Sequence, residues 1–283
     1  MNVKTLLKNA SHIIPDSLYL RLKFFQRTGR LLSLKHPKSF NEKLQWIKLY
    51  DRNPIYTQMV DKYAVKDLVS EKIGSEYIIP TLGIWERFDD IDFDALPNQF
   101  VLKCTHDSGG LVICKDKSKL DISAARKKIE GSLRYDYFWH GREWPYKNVP
   151  HRILAEKYME DQETQELRDY KIYTFEGKAM ICMINQNRGI DTRADYFDRE
   201  FHRLDLTWGY KRADVSPKKP RNFERMFELA EVLCQGTHEL RVDFYEVDGH
   251  IYFGELTFFD GSGFDRIEPN EWNIKLGSWV NLP

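Results

Sequence analysis

The chain has 283 residues, 42% hydrophobic and 14% aromatic, enough for a substantial core in one large domain or two to three small ones. Its 43 Lys and Arg balance 43 Asp and Glu, so no overall basic field recruits nucleic acid, and a mean hydropathy of -0.58 excludes a membrane-embedded protein. No segment approaches transmembrane length and no early apolar run suits a signal peptide, so the expected location is cytoplasmic. Cys104, Cys114, Cys182 and Cys234 form no C-x-x-C pair and read as buried thiols of a reducing compartment.

Residues 1–60 are expected to form a helical N-terminal region. Leu6, Leu7, Ile13, Ile14, Leu18, Leu20, Leu22, Phe24 and Phe25 recur at roughly helical spacing, interrupted by Pro15. Ser39, with Glu42 three residues on, makes a capping-box signature before FNEKLQWIKLY. Lys4, Lys8, Arg21, Lys23, Arg27, Arg30, Lys35 and Lys38 stand against the single acid Asp16 in the first forty residues. Such a basic amphipathic segment can lie peripherally on the inner face of an anionic membrane, or it can be the solvated face of a packing helix. Residues 60–74, VDKYAVKDLVSEKIG, read as one helix ending at Gly74, followed by the extended YIIPTLGIWE. Asp92-Phe93-Asp94 then supplies the D-x-D spacing by which many glycosyltransferases hold a metal and a sugar nucleotide, although such triplets also arise by chance.

Residues 100–104 and 111–114 read as strands joined by the tight turn DSGG. A strand lysine, Lys103, followed by Ser108-Gly109-Gly110 fits a glycine-rich flap, in which backbone N–H groups approach phosphates and the lysine adds a point charge. No G-x-x-x-x-G-K-[ST] or G-x-G-x-x-G occurs. After a helix at 123–133, the aromatic and basic run RYDYFWHGREWPYKNVPHR can stack a base or sugar or simply dock a loop on the core.

Strands are expected at 152–159, 169–175 and 178–185. Glu156 and Lys157 fall mid-strand, where their charge is costly unless paired or bound to a ligand. Asp169 and Lys171 share a strand face, Arg188 and Arg193 fall in an apparent loop, and a helix at 222–234 follows a break at 217–220. A hairpin closes the pattern, with strands at 241–247 and 251–258 around Asp248-Gly249. Asp243 and Glu255 stand on its facing strands, Thr257 shares the Glu255 face, and Arg241 lies beside them. Hard oxygen anions next to an arginine suit Mg²⁺ and a polyphosphate; a solvated surface hairpin is the alternative.

In this order the pieces resemble the ATP-grasp superfamily. More narrowly, PKSFNEKLQWIKLYDR, DKYAVKDLV, KCTHDSGG and ELTFFDGSGF resemble the TupA-like branch, associated with teichuronopeptide and capsular polysaccharide synthesis. The resemblance implies an α+β fold in which two subdomains with antiparallel sheets clasp ATP. Residues 61–150 would carry a lysine helix and the flap, and 151–283 the adenine hinge and metal hairpin. It implies that Lys62 and Lys103 hold ATP phosphates under Ser108, Gly109 and Gly110. Glu156, Lys157 and Met159 would form the adenine hinge, and Asp169 would bind ribose. Arg241 would steady the transferred phosphoryl group, and Asp243 and Glu255 would ligate Mg²⁺. Thr257 stands where most of the superfamily has Asn.

The implied activity is an ATP-dependent carboxylate–amine ligase working through an acyl phosphate. Its acceptor would be a uronic acid carboxylate on a sugar nucleotide or glycan, and its nucleophile an amino acid or small amine. Arg188, Arg193 and Arg212 are the candidates for holding the acidic partner. The competing expectations are a glycosyltransferase using Asp92 and Asp94, and a non-catalytic ATP-binding scaffold.

Overall fold

The computed structural model describes residues 12–162, 167–186 and 191–283. Helix α1 (Asp16–Thr28) begins directly after Pro15 and stops at Gly29, whose φ of 71° suits a residue without Cβ. Helix α2 (Phe40–Tyr50) begins with the expected capping box: Ser39 accepts from the Glu42 amide, and Glu42 accepts from the Ser39 amide. The helix expected at 60–74 is instead two, α3 (Ile55–Val60) and α4 (Val65–Ile73). The break has a local cause. The Asp61 carboxylate accepts from the Tyr63 and Ala64 amides at 2.9 and 3.2 Å, which caps a new helix, and the Lys62 amide leaves to donate to Thr105 O at 3.2 Å. Lys62 therefore sits in a turn rather than in a helix.

Next come β1 (Thr81–Trp85), β2 (Phe100–Cys104), β3 (Leu111–Cys114), α5 (Ile122–Leu133), the short α6 (Phe138–Gly141) and β4 (Ile153–Lys157). These strands form an antiparallel sheet in the order β1-β4-β2-β3. Ala125 and Ile129 of α5 pack on Phe100, Leu102, Ile153 and Ala155 beneath it. The strand carrying Glu156 thus completes the first sheet, and the chain changes sheets after Lys157 rather than at 150/151. The reason is pairing: Val101 stands opposite Glu156, and Leu102 opposite Ala155.

The second sheet is built from β5 (Asp169–Phe175), β6 (Lys178–Gln186) and β7 (Arg193–Phe197). After β8 (Thr207–Trp208) and α7 (Phe223–Leu233) come β9 (Glu239–Val247) and β10 (His250–Thr257). The chain closes with β11 (Ile267–Glu268) and α8 (Asn270–Ser278). The sheet order is β10-β9-β5-β6-β7, antiparallel throughout, with β8 and β11 paired separately. Arg193 opens a strand and is not in a loop. Strand alternation divides β9 between two jobs: Leu240, Val242 and Phe244 are fully buried in the core with Phe223, Phe227 and Ala230 of α7, while Arg241, Asp243 and Tyr245 face away from it.

Helix α1 docks through Leu20 and Phe24, which pack with Leu32, Leu34 and Phe264. Its cations, and Arg30 just beyond it, are used in the same docking. Arg21 donates to Leu32 O at 2.9 Å, Lys23 to His140 O, Arg27 pairs with Asp265 at 3.1 Å, and Arg30 donates to Asn270 at 2.6 Å. Lys4 and Lys8, with Leu6 and Leu7, lie outside the described residues. Among the described residues no helix is long and apolar enough to cross a membrane.

The four cysteines are all buried and free. Burial pushes the Cys104 thiol up to about 12, with the Asp107 carboxylate adding to it, and raises the other three as well. Titration with a thiol-specific chromogen should find almost no reaction in the native protein and four thiols in denaturant; fast native labelling would contradict this burial.

Candidate active site

A one-residue irregularity decides which face of the hairpin carries the acids. From His250 to Phe253 the strands β10 and β9 pair regularly, Phe253 opposite Phe244. The register then shifts, leaving Gly254 as a bulge, so that Glu255 stands opposite Asp243 and Thr257 opposite Arg241. Without the extra residue Glu255 would fall opposite Val242 and point into the core, because a one-residue slip exchanges the two faces of a strand. Glycine also eases the close approach there, since a Cβ would lie 3.1 Å from both Asp243 O and the Tyr245 ring and its neighbours would have to give by a few tenths of an ångström.

Arg241, 7% exposed, holds this face together. Its Nε and Nη2 donate to the two Asp243 oxygens at 2.7 and 2.8 Å, Nη2 also reaches Glu255 at 3.0 Å, and Nη1 pairs with Asp260. Lys171 of β5, directly opposite Asp243, donates to the same carboxylate, and Tyr173 donates to Asp260 at 2.6 Å. Burial works against the Arg241 charge, but Asp243, Asp260 and Tyr173 more than offset it and raise its ionisation. For Asp243 burial wins and raises the carboxyl, against the pull of Arg241 and Lys171. Glu255 is different. Its side chain is 37% exposed, and Lys62, Arg241, Lys171 and Lys103 outweigh the desolvation that would raise it, holding it down to about 2. Thr257 Oγ1 donates to it at 3.2 Å.

The first sheet presents the opposing wall. Lys103 pairs with Glu156 at 2.6 Å, and Lys66 of α4 pairs with the same carboxylate at 2.5 Å. Burial would raise Glu156, but the two lysines overcome it and keep the carboxyl below its ordinary range. Lys62 Nζ donates to Asp107 O, and the Asp107 carboxylate closes the flap turn by accepting from the Gly110 amide at 3.0 Å and from Ser132. Gly110 is packed too tightly for any side chain, since a Cβ would sit 2.5 Å from Cys104 Sγ.

Between the walls lies a cleft of about 720 Å³, lined by Lys62, Lys103, Ser108 and Gly110 on one side and by Asp169, Lys171, Arg241, Asp243, Glu255 and Thr257 on the other. A second hollow of about 480 Å³, lined by Ile79, Val101, Ile113, Lys157, Tyr158, Met159 and Leu167, adjoins it and shares Lys103, Leu111, Glu156, Asn185 and Tyr245. A mostly apolar hollow opening onto a cleft that carries Lys62, Lys103, Lys171 and Arg241 among its carboxylates has room for a nucleotide, with its flat base and polyanionic tail.

The TupA-like ATP-grasp family model matches residues 42–281. The chain belongs to the TupA-like ATP-grasp family. No curated protein matches this TupA-like sequence. Among solved structures it is similar to D-alanine–D-alanine ligase from Bacillus anthracis complexed with ATP, at 15% identity and a TM-score of 0.41, over 77% of this chain and 55% of that one. It is also similar to L-amino acid ligase from Bacillus licheniformis, at 15% identity and a TM-score of 0.47, over 79% of this chain and 49% of that one. The TupA-like chain thus spans about half the length of those two.

The TupA-like chain brings together in one cleft most of the residues picked out in its sequence, and leaves others aside. Gly109 is exposed in the flap and does not line the cleft. Arg193 is clamped by Asp191 at 2.6 Å and Arg212 by Asp205 at 3.0 Å; their neighbours Thr192 and Tyr210 line the cleft, and they do not. Arg188 lies outside the described residues. Asp92 accepts from the Asp94 and Ala95 amides at 3.0 and 3.3 Å, which makes the D-x-D segment an exposed Asx turn away from the cleft. Sequence reasoning missed Lys66, Asp107, Asp260 and the role of Lys171. The charge of Glu156 in mid-strand was a signal that a cationic partner was needed, but nothing in the chain order named Lys66.

Removing one partner of a buried ion pair leaves the other charge uncompensated, so Glu156→Gln should cost about 3–5 kcal/mol in urea unfolding. Because the native carboxyl is depressed, the stability it contributes is present above the ordinary glutamate range and is lost as pH falls from there through the lower native value. The variant should therefore also show a flatter acid limb, and an unchanged unfolding midpoint would refute the assignment.

Proposed function

We propose that this protein is an ATP- and Mg²⁺-dependent carboxylate–amine ligase. It joins an amino acid or small amine to a uronic acid carboxylate of a surface or capsular polysaccharide precursor, through an acyl phosphate. The observation that carries the reading is the single cleft in which Lys62, Lys103, Lys171 and Arg241 face Asp243 and Glu255 at the mouth of a hinge-bounded apolar hollow. The support for a glycan acceptor is the family's association with surface polysaccharide synthesis. ATP as co-substrate places the proposed reaction on the cytoplasmic side.

In this reading Lys62 and Lys103 neutralise phosphate oxygens from the flap side, and Arg241 faces the charge that builds on the transferred group. Glu255, open and ionised at neutral pH, together with Asp243 and Thr257 offers the hard oxygens that Mg²⁺ prefers. Bound there, Mg²⁺ would supply further neutralisation of the polyphosphate. Asp243, with both oxygens accepting from Arg241 and Lys171, also fixes those two cations against the wall. A carboxylate oxygen attacks the γ-phosphorus and ADP leaves; the amine nitrogen then attacks the acyl carbon, and phosphate departs with that carboxylate oxygen.

Assaying ADP release across a matrix of uronic acids and amines, with mass detection of the amide, should find turnover only when both are present. Glu255→Gln should lower it by ~10²–10³-fold, the usual size of one electrostatic contact in a transition state, while Asp92→Ala leaves it unchanged. An oxygen-18 label on the carboxylate should appear in released phosphate. Label retained entirely in the amide, or ATP left intact by every pair, would defeat the reading.

A further inference from the structure

Part of the cleft wall is not shared with the hinge hollow and includes Glu143, Asp260 and Ser262. Glu143 is 3% exposed, and its Oε1 accepts no hydrogen bond. Ser262 lines the same wall beside this carboxylate, and its Oγ lies 3.0 Å from Lys48 Nζ. Lys48, 1% exposed, is fixed by further acceptors: Gln45 Oε1 at 3.1 Å, Gly141 O at 2.9 Å and Ser262 O at 2.7 Å. Ser262 is held at φ 55° between Gly261 and Gly263, a left-handed conformation that costs a serine free energy and persists because its surroundings enforce it. A Cβ on Gly141 would collide with Ser262 Oγ and come within 2.8 Å of Glu143 Oε1, so the backbone there is also shaped around this pair. The arrangement is a built site with one open acceptor.

The proposed reaction leaves a requirement that the phosphate-binding residues do not meet. An amine arrives as an ammonium and must lose a proton before its nitrogen can attack. The other carboxylates of the cleft have partners: Asp243 and Asp260 are held by Arg241, Glu156 by two lysines, and Asp265 by Arg27. We propose that Glu143 is the amine subsite: Oε1 receives the ammonium of the nucleophile and takes its first proton, and Ser262 and Lys48 position that carboxylate. The second proton on nitrogen leaves with the phosphate when the C–O bond breaks. This assignment rests on the ligase reading above. The charged and titratable groups around Glu143 are Lys48 of α2, Lys23 of α1, Glu239 of β9, Asp260 after β10, and Tyr137 and Tyr146 on its own segment. Burial raises the Glu143 carboxyl against the opposing pull of Lys48, which brings a carboxylate closer to useful basicity at neutral pH. Lys48 is itself lowered by burial to about 7.

Two measurements test this, one without turnover. The full chain with ADP and Mg²⁺ is titrated calorimetrically at pH 8 with ethylamine hydrochloride, L-alanine, L-glutamate and L-lysine, against sodium chloride. At least one amine should bind saturably, with affinity about tenfold or more weaker in Glu143→Gln, whose ADP binding is retained. No saturable binding by the wild type, or equal binding by the variant, overturns the proposal. In the second measurement the carboxylate that supports ADP release is given hydroxylamine, which is unprotonated at neutral pH and needs no base. Glu143→Gln should slow amide synthesis by ~10²–10⁴-fold yet form hydroxamate at close to the wild-type rate, and equal loss of both would mean a structural role. Ser262→Gly keeps the backbone conformation and removes the hydroxyl that lowers the Glu143 carboxyl. It should shift the rising limb of the pH profile upward, and it decides the matter if the first variant fails to bind ADP. Failure of ATP cleavage in wild type and variants alike counts against the ligase reading, and the binding titration then decides the amine subsite alone.

Discussion

One guanidinium ties the second wall of the cleft together. Arg241 reaches Asp243 through two nitrogens, Glu255 from β10, and Asp260 from the turn beyond it, so a single side chain links two strands and the loop that follows. Arginine suits the position because its planar fork donates in several directions at once and its charge does not titrate away. Such an arrangement is weak evidence for stability, since desolvating these charges offsets much of their attraction. What it does secure is geometry: with Lys171 it leaves Asp243 in one orientation and keeps Glu255 ionised at the open side of the cleft.

That geometry depends in turn on the backbone. The bulge at Gly254 brings Glu255 and Thr257 onto the face already occupied by Arg241 and Asp243. The antiparallel pairing of β5 with β9 sets Lys171 against Asp243 and Tyr173 against Arg241. The charged face and the fully buried face of β9 are therefore two consequences of one alternation, and the core under α7 holds the site in register.

The opposing wall follows a similar rule with the signs reversed. One carboxylate, Glu156, serves two lysines, and it lies on the strand that runs on to Lys157 and Met159 in the wall of the second hollow. The N-terminal helices enter the same network from outside. Helix α1 docks its cations on the body, and Lys48 of α2 reaches through to the Ser262 turn. Segments at opposite ends of the chain thus meet at one end of the cleft.

The sequence alone was enough for many of the elements and for several of the residues that line the cleft. Strands at 100–104, 111–114 and 169–175, the helix near 222–234, the capping box at Ser39 and the cleft residues Lys103, Arg241, Asp243, Glu255 and Thr257 follow from local rules of alternation and turn chemistry, while Lys62 came from the family resemblance. These signals act over a few residues, so they can be read along a line. Partnership could not be read that way. Lys66 with Glu156, Lys171 with Asp243 and Lys48 with Ser262 lie 90, 72 and 214 residues apart, and only packing brings them within hydrogen-bonding distance. The break at Asp61, the bulge at Gly254 and the capture of Arg193 and Arg212 by nearby acids were likewise decided by the folded chain. At Asp61 and Arg193 the chosen partner is two or three residues away, while the bulge at Gly254 is set by strand pairing, and in each case the group had several possible partners of which the folded chain kept one.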